Sequence, residues 1–302
     1  MPIDEIKKVC FLGAGTMGCF NSLVTAVAGY RAVLYDTSRE ALDQVKVRQG
    51  NFGAFMVERG FTSQEAIDEG LARIEVTPDP AGAADSADFL SESVPEILTI
   101  KREIHQQFDK LLPEHAIMTT NTSSLLVSQI EDAVTRGDRF GALHFHQGSL
   151  LVDVVGGPRT SAETVDTIKR FAKSIGMIPV VLKKEKDGYL HNTMLIAWYK
   201  SALTLAAHGF ASIEDVDRSW MIVHQTNSGP FGSMDGVGLD VALNVLEAQA
   251  AQAADPEEFK VIADYIRPYV ERGLLGTKTG QGFYTYPDPV WQDPGFLTAF
   301  ED

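Results

Sequence analysis

Val9-Cys10-Phe11-Leu12-Gly13-Ala14-Gly15-Thr16-Met17-Gly18 joins an unbroken apolar run to three glycines at fixed spacing. A short run that is apolar throughout and ends in glycine has the pattern of a strand buried on both faces of a parallel sheet. A tight turn must follow. Side chains at positions 13 and 15 would obstruct that turn and hold a pyrophosphate off the backbone, and one at 18 would hold the next helix off its strand. The spacing predicts a helix over 15–28, with Thr16 and Met17 in its first turn, whose free N–H groups and positive dipole end face the phosphates. Gly29 closes that helix, Ala32-Val33-Leu34-Tyr35 reads as a second buried strand, and Asp36 ends it. An acid about 20 residues beyond the glycines accepts hydrogen bonds from both ribose hydroxyls of an adenosine and repels a 2′-phosphate. Gly-x-Gly-x-x-Gly alone is common in loops; strand, glycines, helix, second strand and terminal acid in register are not. NAD is therefore expected, held by Gly13, Gly15, Thr16, Met17, Gly18 and Asp36, with Arg39 the neighbour that would argue for a phosphate instead.

A chain of 302 residues with 44% apolar content reads as two domains with a sizeable core. Its 26 Lys and Arg against 41 Asp and Glu give a net charge of −15. That balance argues against nucleic acid or an anionic membrane as partner and gives a polyanionic substrate no general attraction. Met1-Pro2-Ile3-Asp4-Glu5 lacks the basic-then-apolar pattern of a secretory signal, and the apolar run Met194 to Tyr199, cut off by Lys200, is too brief to span a bilayer. The two cysteines, Cys10 in the first strand and Cys19 in the first helix, are expected as buried reduced thiols of a cytoplasmic protein.

Downstream, a helix is expected over 39–59 with Lys46, Arg48 and Arg59 on a solvated side, a strand at Ile74 to Thr77, and a short Ala-rich helix after Pro78-Asp79-Pro80. Ala87 to Ser93 gives the next strand. Helix 97–112 follows, carrying Ile97, Ile100, Ile104, Phe108 and Leu111 on one face. Ala116 to Thr120 is a strand whose polar sequel, Asn121-Thr122-Ser123-Ser124, caps a helix over 125–135. Arg139 to Phe145 and Leu150 to Val155 are strands joined by the turn Gln147-Gly148-Ser149, and helix 161–175 and strand Pro179 to Leu182 complete an alternating α/β pattern. Such alternation builds a Rossmann-type, doubly wound, mostly parallel sheet. After Lys184 strand patterns cease, and helical ones run over 188–208, 214–224, 235–253 and 256–272. The expected organisation is a dinucleotide domain over 1–184 and an all-helical domain over 185–302.

A nicotinamide sits at the carboxyl ends of such strands, so the polar residues there, Ser123, His144, Asp153 and Asn192, are the candidates for chemistry. An alcohol that gives up hydride must also give up its hydroxyl proton, which calls for a base of near-neutral pKa, and histidine is the natural one. A carboxylate on the far ring nitrogen fixes the tautomer and steadies the imidazolium. His144 with Asp153 supplies that pair if their strands are adjacent, and Ser123 and Asn192 could hold substrate or nicotinamide. Singly, each has a plainer role: a core histidine, a surface acid, a helix cap, a helix residue. His144 and His146 share one strand face, but no cysteine or clustered glutamate completes a metal site, so no metal is expected.

Together these residues closely resemble the L-3-hydroxyacyl-CoA dehydrogenase family. Its markers are Gly13 to Gly18, Pro95-Glu96 with Lys101, Asn121 to Leu125, Leu143-His144-Phe145, Gly188 to Asn192, Gly229-Pro230-Phe231 with Asp235 and Gly238-Leu239-Asp240, and Lys278 to Tyr284. The resemblance covers nearly the whole chain. It implies an NAD domain followed by a helical domain that forms a homodimer, and hydride exchange between a 3-hydroxyacyl-CoA and its 3-oxo form, as in fatty acid metabolism. It further implies His144 as base with an acid partner, Glu96, Lys101 and Lys278 as nicotinamide-side contacts, and Ser123 and Asn192 as polar residues of the substrate site.

The departures matter as much. Where the family usually reads His-Phe-Phe-Asn-Pro, with Glu twelve residues after the His, this chain has His144-Phe145-His146-Gln147-Gly148, with Asp153 nine after. Three residues are missing from the loop nearest the substrate, and the acid is one methylene shorter. His146 and Gln147 are thus expected to line a reshaped pocket. Of the basic residues that meet CoA phosphates in the family, Arg59 alone falls near such a position. Lys183 to Lys186 with Gly188-Tyr189, and Phe140 to Phe145, resemble the diketoreductase branch, which reduces free carbonyl compounds. An NAD-binding protein with little turnover is the alternative of another class, motivated by the altered loop.

Overall fold

The computed structural model describes residues 3–253 and 256–298. Contact density divides the chain into two compact units, Met1–Leu190 and His191–Asp302, a boundary somewhat later than expected because Tyr189 is buried in the first unit's core.

The first unit is built on one sheet of eight strands: β1 (Lys8–Leu12), β2 (Arg31–Tyr35), β3 (Ile74–Thr77), β4 (Phe89–Glu92), β5 (Ile117–Thr120), β6 (Phe140–Phe145), β7 (Leu151–Gly156) and β8 (Ile178–Val181). Their order is β3-β2-β1-β4-β5-β6-β7-β8, parallel everywhere except between β6 and β7. All five residues of β1 are buried, as its unbroken apolar run requires. Val9 and Phe11 face one core, with Phe20 and Leu23 of α1 (Thr16–Val27) and Ile168 and Phe171. Cys10 and Leu12 face the other, with Ala83, Ala84, Phe108 and Ile130. The strand order reverses between β1 and β4, so connections diverge there and leave a crevice beyond the carboxyl ends. Both cysteines are free and buried, and burial pushes the Cys10 thiol up to about 12.

Several elements depart from their sequence pattern for visible reasons. The helix expected over 39–59 is two, α2 (Arg39–Asp43) and α3 (Val45–Glu58), and α4 (Gln64–Leu71), capped by Ser63, was not anticipated. After α5 (Pro80–Ala84), the largest correction concerns α6 (Leu98–Asp109). Only part of its expected apolar face forms: Phe108 is buried with Ile104 packed beside it, but Ile97, Ile100 and Leu111 are exposed by 52%, 37% and 38%, while Lys101, His105 and Asp109 are buried. The inward face answers Glu92 at the end of β4, a fully buried acid that needs cationic and hydrogen-bonding partners more than this helix needs to bury isoleucine. The helix expected over 125–135 shrinks to α7 (Val127–Ile130) and a 3-10 turn, since the residues before it serve the site instead. Helix α8 (Ala162–Ser174) is capped by Ser161 as patterned.

The second unit holds α9 (His191–Ala207), α10 (Ile213–His224), α11 (Pro230–Val237), α12 (Leu239–Gln252) and α13 (Glu257–Glu271) around its own core of Tyr199, Leu203, Phe231, Met234, Leu246 and Ile266. Gly238 breaks the expected 235–253 helix at φ 106°. Two buried acids tie the unit together. Asp217 accepts the Phe231 and Gly232 amides, and Asp235 accepts those of Phe283 and Tyr284, each at 2.8–2.9 Å. A Cβ at Gly282 would lie 2.1 Å from Asp235 Oδ1, which explains the glycine-rich run after Lys278. No helix among the described residues is long and apolar enough to cross a membrane.

Candidate active site

At the turn after β1 the three glycines have different reasons to be glycine. Gly13 has φ 95°, and a Cβ there would stand 2.7 Å from Ser93 O at the end of β4; a Cβ at Gly18 would lie 1.8 Å from Gly13 O. At Gly15 a Cβ would meet nothing within 4 Å. The protein itself therefore demands Gly13 and Gly18, whereas the open cradle at Gly15 fits a group the chain does not supply. Gly15 is also the N-cap of α1 and offers no side-chain cap, so the helix's first N–H groups are available to phosphate oxygens. Thr16 is exposed at that end and Met17 packs into the first core. Asp36 stands beside the turn, Oδ2 accepting from Ala14 N at 2.7 Å and Oδ1 from Ser38 N at 2.8 Å, with lone pairs left for a ribose. Arg48 is not on a solvated face as its pattern suggested: Nη1 donates to Ala14 O at 2.6 Å, bracing the turn from α3. Lys46 and Arg39 are exposed.

His144 and Asp153 meet because β6 and β7 run antiparallel with these two residues in register. His144 Nδ1 lies 3.2 Å from Asp153 Oδ2, and both side chains are buried. The same Oδ2 is 2.8 Å from His146 Nε2, a contact the sequence did not suggest. Burial would raise the Asp153 carboxyl, but the hydrogen bonds and charges of the two histidines outweigh it and hold it at about 2. Burial also dominates at His144, lowering its pKa against the opposing hydrogen bond to Asp153. With Nδ1 committed to an ionised acid, His144 is the neutral tautomer whose Nε2 carries the lone pair. The ring is packed against Tyr189, centroids 5.2 Å apart; Tyr189 is nearly fully buried and holds φ 46°, and the sequence marked it only through the family and diketoreductase resemblances.

Beside this pair lies a second cluster. Glu96 Oε1 accepts from the Ser123 and Ser124 amides and the Ser124 hydroxyl, all at 2.9 Å, and from Thr122 Oγ1. Its Oε2 is 3.2 Å from Lys101 Nζ. Burial pushes Glu96 up, but Lys101 and these hydrogen bonds hold it at about 2, and its charge is felt at His144. Lys101 itself is 1% exposed, and its ammonium is also engaged by Glu92 Oε1 at 2.7 Å and Val94 O at 3.2 Å. Three donors meet three partners, so Lys101 acts on its surroundings through Glu96 and Glu92. Glu92 further accepts from Thr120 Oγ1 at 2.7 Å and faces His105 Nε2 at 3.2 Å. The polar turn read as a helix cap is thus a wrapping for Glu96. Asn121 Oδ1 accepts from Phe145 N at 2.8 Å, pinning the end of β6 next to His144. Neither role carries a local signal, because each partner sits more than twenty positions away.

The hairpin loop after His146 exposes Gln147 and Gly148 and rests on α3, where a Cβ at Gly148 would touch the Phe55 ring at 3.8 Å. Arg59, exposed at the end of α3, sets its guanidinium 5.4 Å from the centroid of that same ring. The first unit therefore gathers His144, Asp153 and His146 in one group, Glu96, Lys101 and Ser123 in another, and Asp36 with the glycines in a third. Asn192 and Lys278 belong to the second unit. Asn192 is half-buried in the first turn of α9, and Lys278 is ion-paired with Asp240 in a 3-10 turn.

Comparison with known proteins bears on the family and the fold. Residues 8–186 match the family model described as 3-hydroxyacyl-CoA dehydrogenase, NAD binding domain, and residues 188–286 the corresponding C-terminal domain. The mitochondrial hydroxyacyl-coenzyme A dehydrogenase of Rattus norvegicus is 33% identical over 93% of this chain and 91% of its own length. Among solved structures, a diketoreductase superposes with a TM-score of 0.87 at 35% identity, over 93% of this chain and 99% of that one. The (S)-3-hydroxybutyryl-CoA dehydrogenase of Ralstonia eutropha gives 0.82 at 28%, over 94% and 100%.

Proposed function

The chain belongs to the 3-hydroxyacyl-CoA dehydrogenase family and is an NAD-dependent oxidoreductase, and on that premise we propose that it interconverts a short-chain L-3-hydroxyacyl-CoA and its 3-oxo form. The observation that carries the reading is the buried pair of His144 and Asp153, a neutral imidazole backed by an ionised acid. NAD, when bound, supplies the hydride acceptor. His144 Nε2 takes the hydroxyl proton as the alcohol is oxidised and returns it in reduction; Asp153 holds Nδ1–H and stabilises the imidazolium. Glu96 fixes the Ser123 backbone and so sets where that hydroxyl stands, ready to hold the reacting oxygen. Lys101 positions Glu96. The second unit joins two copies, a reading supported by its exposed Phe210, Ile222 and Val223 and tested by sedimentation.

The same chemistry on a free hydroxy or keto compound is the second reading, favoured by the shortened loop and by Arg59 standing alone over Phe55 beside it. Comparing kcat/KM for 3-hydroxybutyryl-CoA and free 3-hydroxybutyrate separates the two. A clear preference for the thioester supports the first; a clear preference for the free acid transfers the assignment to the second.

A further inference from the structure

We propose that His144, His146 and Asp153 form a binding site for a divalent transition metal of the Zn2+ type, and that its occupancy switches off the His144 base. One ligand atom from each of the three residues lies within 4.8 Å of the other two, and Asp153 Oδ2 is 3.2 Å from His144 Nδ1 and 2.8 Å from His146 Nε2. A tetrahedral centre with bonds of about 2.1 Å sets its ligands about 3.4 Å apart, so modest rotation of the rings converts the hydrogen-bonded trio into a coordination set. Two neutral imidazoles and a carboxylate suit zinc, nickel or copper better than magnesium or calcium. Asp153 Oδ1 is buried without a hydrogen-bond partner, although the residue is only 1% exposed, and a cation would occupy it as a second carboxylate contact. An entry path exists at His146, whose side chain is 13% exposed next to the exposed Gln147 and Gly148.

The consequence for the base follows from proton bookkeeping at the imidazole. A metal on Nδ1 needs that nitrogen's lone pair, so the hydrogen leaves Nδ1 and one arrives at Nε2. No proton is lost overall, but Nε2, the atom that must accept the hydroxyl proton, becomes a donor. His146 exchanges its Nε2 hydrogen to Nδ1 in the same way. The metal sits on the ring edge away from Nε2, so it stops turnover without covering the place where substrate would meet the base. Metal binding rests on the three side chains alone; the loss of turnover rests also on His144 being the base.

The test titrates the EDTA-stripped full-length chain with Co2+, read by its visible absorption, and with Zn2+, read by calorimetry. One equivalent should bind, with tetrahedral-type Co2+ bands that are lost in His146→Asn and His146→Gln, each checked for unchanged NAD affinity. Paramagnetically shifted ring protons from both histidines in the unsubstituted chain would identify the ligands without any substitution. With saturating Zn2+, kcat should fall at least tenfold at unchanged KM for both substrates and recover with EDTA. Absence of Co2+ bands, or binding that persists in both His146 variants, overturns the site. Binding that requires His146 yet leaves kcat untouched overturns the tautomer switch and His144 as base, while the site stands.

Discussion

His144 and Asp153 are register partners across the one antiparallel pair of the sheet, Nδ1 to Oδ2 at 3.2 Å. The direct cross-strand position keeps the pair together although the loop between them is short and the acid is an aspartate. Residues facing each other across two strands need no long side chain to touch.

Replacing either partner should therefore affect chemistry more than cofactor binding. His144→Gln is expected to cut turnover by ~10² or more while leaving NAD affinity nearly intact. Asp153→Asn keeps the shape but offers the ring an amide in place of an ionised acid, and a loss of ~10²–10⁴ is expected from the wrong tautomer. Steady-state kinetics alongside fluorescence titration of NAD measures both; unchanged kcat in His144→Gln would remove His144 from the reaction.

Gly15 and Gly18 should separate binding from folding. Nothing lies within 4 Å of a Cβ at Gly15, so Gly15→Ala should cost stability about 1 kcal/mol or less and yet weaken NAD by at least about tenfold, since the methyl occupies the cradle. At Gly18 the Cβ would stand 1.8 Å from a backbone oxygen, and Gly18→Ala should destabilise the first unit by about 1–3 kcal/mol or more. Urea unfolding with and without NAD reads both effects.

Lys101 should prove structural through its charge. Lys101→Met leaves Glu92, 0% exposed, without its cation, which typically costs about 3–5 kcal/mol. Adding Glu92→Gln should restore part of that loss, because the stranded charge goes with it. A double-mutant cycle on the urea midpoint checks this; strictly additive losses would mean that the two side chains do not interact.

In the second unit, burial raises the Asp217 carboxyl to about 6 from 3.8, against the opposing hydrogen bonds of Phe231, Gly232 and Tyr284. A raised folded pKa means that the folded form binds the proton more tightly, so this contribution is complete below about pH 4 and is lost as pH rises through about 6. The full span is about 3 kcal/mol, of which about 1 kcal/mol falls between pH 5 and 7. Protection factors of the Phe231 and Gly232 amides should rise roughly tenfold on going from pH 7 to 5, and Asp217→Asn should flatten that dependence. Glu96 and Asp153, held at about 2, act in the opposite sense and only below about pH 4, outside this window.

Contiguous residues sufficed for much of the molecule. A buried strand, a glycine turn, a helix and a terminal acid are each written within a few positions, so local sterics and periodicity determined the Rossmann-type half, its glycine turn with Asp36 beside it, and the all-helical second unit. What only the tertiary structure decided are the pairings between distant residues. Helical periodicity put Ile97 and Ile100 inside, but Glu92 at the end of β4 turned Lys101 and His105 inward instead, because an uncompensated buried charge costs more than an exposed isoleucine. Likewise the wrapping of Glu96 by residues 122–124 and the sharing of Asp153 between two histidines arise from which strand ends the sheet brings side by side, and strand order and register are properties of the whole sheet, legible in no single stretch of it.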